Sequence, residues 1–104
     1  MTTKSPSIII VEDNPGDIEL MRLAFSELES EINFRIFEDG EDALNFLLNK
    51  HFDKAIYDLM IIDINLPGIS GFDILDEIKG QGLKFPVVVF SSLKTSDYKN
   101  KAMN

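Results

Sequence analysis

Apolar residues along the chain form four short runs that predict β-strands. Three runs have no helical period and are rich in β-branched side chains, which is typical of strands buried on both faces of a parallel sheet. They occupy residues 7–11 (SIIIV), 57–63 (YDLMIID) and 86–90 (PVVVF). The fourth run, residues 34–38 (FRIFE), alternates apolar and polar positions, as an outer strand would.

A helix is predicted directly after the first strand, over residues 15–29. Asn14 can accept hydrogen bonds from the first turn, and Pro15 suits the first helical position because its missing N–H needs no partner there. Apolar positions recur at helical spacing along this segment. The buried stripe is predicted to contain Ile18, Met21, Phe25 and Leu28.

Two more helices are predicted between the later strands. Residues 41–49 (EDALNFLLN) are rich in good helix formers. Ser70 and Asp73 have the spacing of a capping box, which predicts the start of the next helix, and Gly80 and Gly82 are expected to end it. A fourth helix is expected after the last strand.

Strands and helices therefore alternate along the whole chain, in the order β-α-β-α-β-α-β-α. This alternation predicts βαβ units and an α/β fold with a parallel sheet. The 104 residues fit one domain, residues 1–104, and no internal repeat or linker composition divides them.

The charge balance narrows the classes of partner. Ten Lys and Arg against eighteen Asp and Glu give a net charge of −8, which argues against binding to nucleic acid or to anionic membranes and suits a cation or a basic partner. The chain has no cysteine, which excludes disulfides and thiolate metal sites. The apolar run near the N-terminus is too short for a signal peptide or a membrane span, so a cytoplasmic location is expected.

Polar side chains follow three of the apolar strands. Glu12 and Asp13 end the first strand, Asp63 ends the third and Ser91 follows the fourth. Each residue taken alone is most simply a loop or capping residue, but parallel strands bring all four to one edge of the sheet. Three adjacent carboxylates repel unless a cation joins them, and Mg²⁺ accepts such oxygen ligands. An Asp beside such a metal can act as a nucleophile toward phosphorus, with the Ser91 hydroxyl contacting a phosphoryl oxygen.

Three motifs in register resemble the receiver domain of bacterial response regulators. They are the two acids after an apolar strand in residues 11–14 (VEDN), the segment 63–67 (DINLP) followed by Gly71, and the strand ending in hydroxyl residues at 86–92 (PVVVFSS). Leu66 replaces the commoner Met, and Ser91 the commoner Thr. Residues 11–17 (VEDNPGD) further resemble single-domain, CheY-like regulators found beside bacterial phytochrome kinases.

This resemblance implies a flavodoxin-like (CheY-like) doubly wound fold and a role for each site residue. Asp63 would accept a phosphoryl group from a sensor histidine kinase. The phytochrome-type kinases are one class of candidate for this partner. Asp13 would ligate Mg²⁺ directly, Glu12 mainly through water, and the backbone carbonyl of Asn65 would be a further ligand. Ser91 would be the switch hydroxyl. The protein would assist its own phosphotransfer and dephosphorylation without being an enzyme, and would act through protein contacts.

The chain departs from the family pattern at its C-terminal end. The family sheet has five strands in the order 2-1-3-4-5, whereas this chain supplies strands for 2-1-3-4, with the fifth strand and fifth helix absent. The phosphate-contacting Lys is also missing, because Lys94, Lys99 and Lys101 are out of register. We expect a fragment of a longer protein. The alternative is a natural short form that completes its sheet as a homodimer.

Two other functions are compatible with the sequence. A pseudo-receiver would keep the fold for binding partners without being phosphorylated, which the missing Lys favours and the intact acids oppose. A Mg²⁺-dependent phosphohydrolase would also use an Asp nucleophile on a parallel sheet. Such enzymes usually place a second Asp two residues after the nucleophile, where this chain has Asn65.

Overall fold

The computed structural model describes residues 5–28 and 31–91. Four strands alternate with three helices in this part of the chain. The elements are β1 Ser7–Val11, α1 Pro15–Ser26, β2 Asn33–Phe37, α2 Gly40–Leu48, β3 Leu59–Asp63, α3 Gly71–Ile78 and β4 Val87–Phe90, with short 3₁₀ turns at Lys54–Ile56 and Lys79–Gln81. The predicted fourth helix lies outside the described residues.

The strands form one parallel sheet in the order β2-β1-β3-β4. This order confirms the predicted topology. β1 pairs with β2 and with β3, and Asp63 at the end of β3 is in register with Phe90 at the end of β4. All four strands therefore end at one edge of the sheet, as the candidate chemistry requires.

Helices lie on both faces of the sheet. Ile9 and Val11 of β1 point to the same face, where they share a core with buried residues of α2 and α3. Ile8 and Ile10 are equally buried but point to the opposite face, and Ile18 of α1 is buried outside the α2–α3 core. Because β1 is covered on both faces, its sequence is a continuous apolar run.

Helix starts were predicted well from the sequence. The Asn14 side chain accepts hydrogen bonds from Gly16 N and Asp17 N, and Pro15 opens α1. Ser70 and Asp73 form the predicted capping box at α3. These contacts are local, so they can be deduced from short patterns. α3 ends at Ile78, and a 3₁₀ turn follows that Gly82 closes with a left-handed φ of 66°.

One burial prediction was wrong: Leu28 was expected in the buried stripe of α1, but α1 ends at Ser26 and Leu28 is 56% exposed. The apolar run at 86–90 alone predicted a buried strand, whereas the strand order 2-1-3-4 placed this strand at an edge of the sheet. Val88 is 49% and Val89 is 39% exposed, which agrees with the edge position and not with full burial. Among the described residues, β4 pairs only with β3, so these valines lie on an edge strand of the sheet.

Candidate functional site

Three carboxylates meet at the edge where β1 and β3 end. Glu12, Asp13 and Asp63 each offer one oxygen atom to a group in which these atoms lie within 4.8 Å of one another. Glu12 and Asp63 are fully buried, and Asp13 is half-buried. The structure therefore brings together the three acids that the sequence singled out.

Glu12 is held by two backbone contacts. Its N–H donates to the carbonyl of Phe37, which extends the β1–β2 pairing by one residue, and its Oε1 accepts from Asn14 N at 2.9 Å. The pKa of Glu12 is raised from 4.5 to about 7, chiefly because burial disfavours the charged carboxylate. The hydrogen bond from Asn14 N lowers the pKa, and the neighbouring Asp63 and Asp13 carboxyls raise it. An added positive charge would relieve this repulsion.

Asp63 is the last residue of β3, and its carboxylate is oriented by the loop that follows. Its Oδ1 accepts a hydrogen bond from Asn65 N at 2.8 Å. The α3 helix begins close beneath this loop: a Cβ on Gly71 would lie 2.6 Å from the Asp63 carbonyl oxygen and 2.9 Å from Ile64 Cα. Glycine is therefore required at position 71 to seat α3 against the backbone of Asp63.

The other two predicted residues are Asn65, which follows β3, and Ser91, which follows β4. The side-chain amide of Asn65 donates from Nδ2 to Ser91 Oγ at 2.8 Å. Ser91 is exposed and directly follows β4. All five residues named from the sequence thus lie at this edge, whereas Lys94, Lys99 and Lys101 fall outside the described residues.

Sequence reasoning missed two hydrogen bonds here, one from a backbone N–H and one from a side-chain amide. It assigned Asn14 only to helix capping and Asn65 only a backbone carbonyl ligand. In the structure, Asn14 N also holds Glu12, and the Asn65 amide contacts Ser91. The Glu12-to-Asn14 spacing could have suggested the first contact, but no sequence signal links positions 65 and 91.

The donor set fits a hard divalent cation. Carboxylate oxygens are the ligands that Mg²⁺ and Mn²⁺ accept in proteins, and the buried Glu12 and Asp63 bring negative charge that a cation would balance. Water and a phosphoryl oxygen can complete such a coordination sphere because Mg²⁺ retains part of its hydration shell. The site can therefore bring a nucleophilic carboxylate and a cation together.

The sequence matches the response regulator receiver domain family over residues 8–104, and the chain belongs to this family. It is 38% identical over 90 residues to the response regulator GtcR of Aneurinibacillus migulanus, covering 85% of this chain and 33% of that protein. The chain thus spans about a third of the length of this relative.

Two solved structures of response regulators have the same fold. The phosphorylated cyanobacterial phytochrome response regulator RcpA matches with a TM-score of 0.73 and 31% identity, over 96% of this chain and 75% of that one. The Mn²⁺-bound form of response regulator Rcp1 matches with a TM-score of 0.70 and 29% identity, over 90% and 74%. The predicted resemblance, including its phytochrome-associated branch, is confirmed. No helix within the described ranges is long and apolar enough to cross a membrane.

Proposed function

We propose that Asp63 accepts a phosphoryl group from a sensor histidine kinase in a Mg²⁺-dependent reaction, and that the modification switches protein contacts. The observation that carries this proposal is the convergence of Glu12, Asp13 and Asp63 within 4.8 Å at the carboxyl edge of the sheet. A metal site built only to stabilise the fold would not need an acid at the end of the central strand beside a hydroxyl residue.

Side chains and backbone groups of the site have separate roles. Asp13, Glu12, Asp63 and the Asn65 carbonyl would hold the cation, which supplies charge neutralisation at the transferring phosphoryl oxygens. The Asn65 N–H orients the Asp63 carboxylate. A carboxylate oxygen of Asp63 then forms a bond to phosphorus as the phosphorus–nitrogen bond to the kinase histidine breaks, giving an aspartyl phosphate. Ser91 would contact a phosphoryl oxygen through its hydroxyl.

An intact-mass measurement tests this proposal. The protein is incubated with acetyl phosphate and Mg²⁺, and a phosphoryl adduct is expected that disappears in the Asp63→Asn variant or with a chelator. Asp39→Asn is the matched control, because Asp39 is an exposed helix cap that does not belong to the three-acid group. A protein that is folded by circular dichroism yet gains no adduct would instead be a pseudo-receiver.

The kinase is proposed to be of the phytochrome type. Support comes from the similarity to RcpA, whose structure is that of a phosphorylated phytochrome response regulator. A time course of phosphotransfer from a purified phytochrome kinase should be faster than from an unrelated histidine kinase at equal concentration. Equal rates from both kinases would contradict the assignment.

The homodimer and the cytoplasmic location remain predictions. Sedimentation at micromolar concentration, with and without acetyl phosphate, tests the dimer. A monomer under both conditions would contradict it.

A further inference from the structure

Asn65 contacts both halves of the proposed switch. Its backbone N–H donates to Asp63 Oδ1 at 2.8 Å, and its side-chain Nδ2 donates to Ser91 Oγ at 2.8 Å. One residue therefore joins the proposed phosphoacceptor on β3 to the proposed switch hydroxyl that follows β4, although Ser91 is 26 positions away in the sequence.

The Asn65–Ser91 contact lies just past the end of the strand pairing. Ile64 N donates to the Phe90 carbonyl at 2.9 Å, and Ser91 follows as an exposed residue. Beyond this backbone hydrogen bond, the link between the two strands continues through the side chains of Asn65 and Ser91. The position of Ser91 Oγ in the resting protein is therefore tied to the identity of residue 65.

We propose that the Asn65 side chain is a positioning residue that holds Ser91 Oγ in the resting state, and that modification of Asp63 exchanges this hydrogen bond for one between Ser91 and the phosphoryl group. The proposal rests on the proposed function of Asp63. The exchange is favourable because a hydrogen bond that the Ser91 hydroxyl donates to an ionised phosphoryl oxygen is stronger than the one that its Oγ accepts from the neutral Asn65 amide. Breaking the resting bond nevertheless opposes the switch.

The cost of breaking the Asn65–Ser91 hydrogen bond can be measured. A neutral hydrogen bond that is exchanged for water changes an equilibrium by about two- to tenfold, and an exposed bond falls at the lower end. Removing the Asn65 amide should therefore tighten the binding of beryllium trifluoride, used with Mg²⁺ as a mimic of the phosphoryl group. Asn65→Ala is expected to bind this probe about two- to fivefold more tightly than the unmodified sequence.

A double-mutant cycle separates positioning from a general structural effect. Dissociation constants for beryllium trifluoride are measured for the original protein, Asn65→Ala, Ser91→Ala and the double variant. The tightening caused by Asn65→Ala should vanish in the Ser91→Ala background, because the resting bond is already lost. The same tightening in both backgrounds, or none in either, would overturn the proposal.

Urea unfolding of the same four proteins gives a second readout, which is the coupling between positions 65 and 91 in the free energy of unfolding. This coupling is expected in the free protein and should be lost at saturating beryllium trifluoride, whereas a bond with a purely structural role would keep it. Ser91→Thr keeps the hydroxyl and should keep the coupling. If Asn65→Ala does not fold, Asn65→Ser serves instead, since its side chain is too short to reach Ser91 Oγ. Coupling that persists in the loaded protein would overturn the proposal.

Two controls distinguish failure of the inference from failure of the proposed function. Asn49→Ala removes another asparagine with a local hydrogen bond, in which Asn49 Oδ1 accepts from His51 N, and should leave probe binding unchanged. Asp63→Asn should abolish binding. If the original protein is folded and binds no probe, both proposals fail together. If binding depends on Asp63 but positions 65 and 91 are uncoupled, only the role of Asn65 fails.

Discussion

At the carboxyl edge of the sheet, Glu12 and Asp63 are fully buried and lie beside a third acid, whereas at the helix starts Asp39 and Asp73 are exposed and accept backbone N–H groups. The helix acids are stabilised by the orphan donors and partial positive charge of the first turn. The edge acids are in a region of low solvent access where like charges repel. The same chemical group is thus structural in one place and suited to bind a cation in the other.

The largest effect is expected on the free energy of unfolding, which should depend on pH in the absence of metal. The pKa of Glu12 is raised from 4.5 to about 7, so the folded state binds this proton more tightly than the unfolded state. The stabilisation is present below pH 4.5 and is lost as the pH rises through 7. The loss amounts to at most about 3 kcal/mol. Urea unfolding between pH 4 and pH 8 should show this loss, and Glu12→Gln should remove it. An unchanged pH profile in Glu12→Gln would contradict the assignment.

Mg²⁺ should raise the free energy of unfolding by binding the acids at the carboxyl edge, and this effect should not depend on the acids at the helix starts. At about one hundred times its dissociation constant, a ligand that binds only the folded state adds about 2.7 kcal/mol. Thermal unfolding with and without Mg²⁺ measures this difference. Asp13→Asn should weaken the response, and Asp39→Asn, the matched cap variant, should retain it. A Mg²⁺ response that survives in Asp13→Asn would place the bound ion elsewhere.

The packing that positions Asp63 should tolerate no side chain at position 71. Gly71→Ala would push a Cβ into the Asp63 carbonyl, 2.6 Å away, and is expected to cost about 2 kcal/mol. Gly80→Ala is the control, because a Cβ there meets nothing within 4 Å. Chemical denaturation compares the two variants. Equal stability would show that α3 shifts easily away from the loop.

The smallest effect is expected at the helix caps. Asp39→Ala removes the acceptor for Glu41 N and Asp42 N and should lower the free energy of unfolding by about 1 kcal/mol. Phosphorylation by acetyl phosphate should be unchanged in a folded Asp39→Ala protein. A loss of the phosphoryl adduct in this variant would show that the two sets of acids are not independent.

The sequence predicted the order of elements and the four polar residues that follow the strands because these depend on short patterns, whereas Asn65 was named only through the family resemblance. The Ser70–Asp73 capping box and the Asn14 cap involve residues two or three positions apart. The acids at the ends of β1 and β3 had to meet, because parallel strands end at one edge of a sheet. Their convergence could therefore be deduced before any contact was known.

The exposure of β4 could not be deduced from its apolar run, and only the strand order implied by the family resemblance placed β4 at an edge of the sheet. Its valines and the isoleucines of β1 form similar apolar runs, yet β1 lies between two strands and β4 pairs only with β3 within the described residues. Apolar composition reports a preference for burial, whereas the position of a strand in the sheet depends on the path of the whole chain.

The sequence by itself determined the local features of the protein, which are the identity of its strands and helices, the helix starts and the acids that end the strands. Only the tertiary structure decided that Glu12 has a pKa of about 7, that Gly71 touches the backbone of Asp63, and that the Asn65 amide reaches Ser91. The physical reason is distance along the chain. A pKa, a close packing contact and a hydrogen bond between strands all depend on atoms that come together only when the sheet has formed.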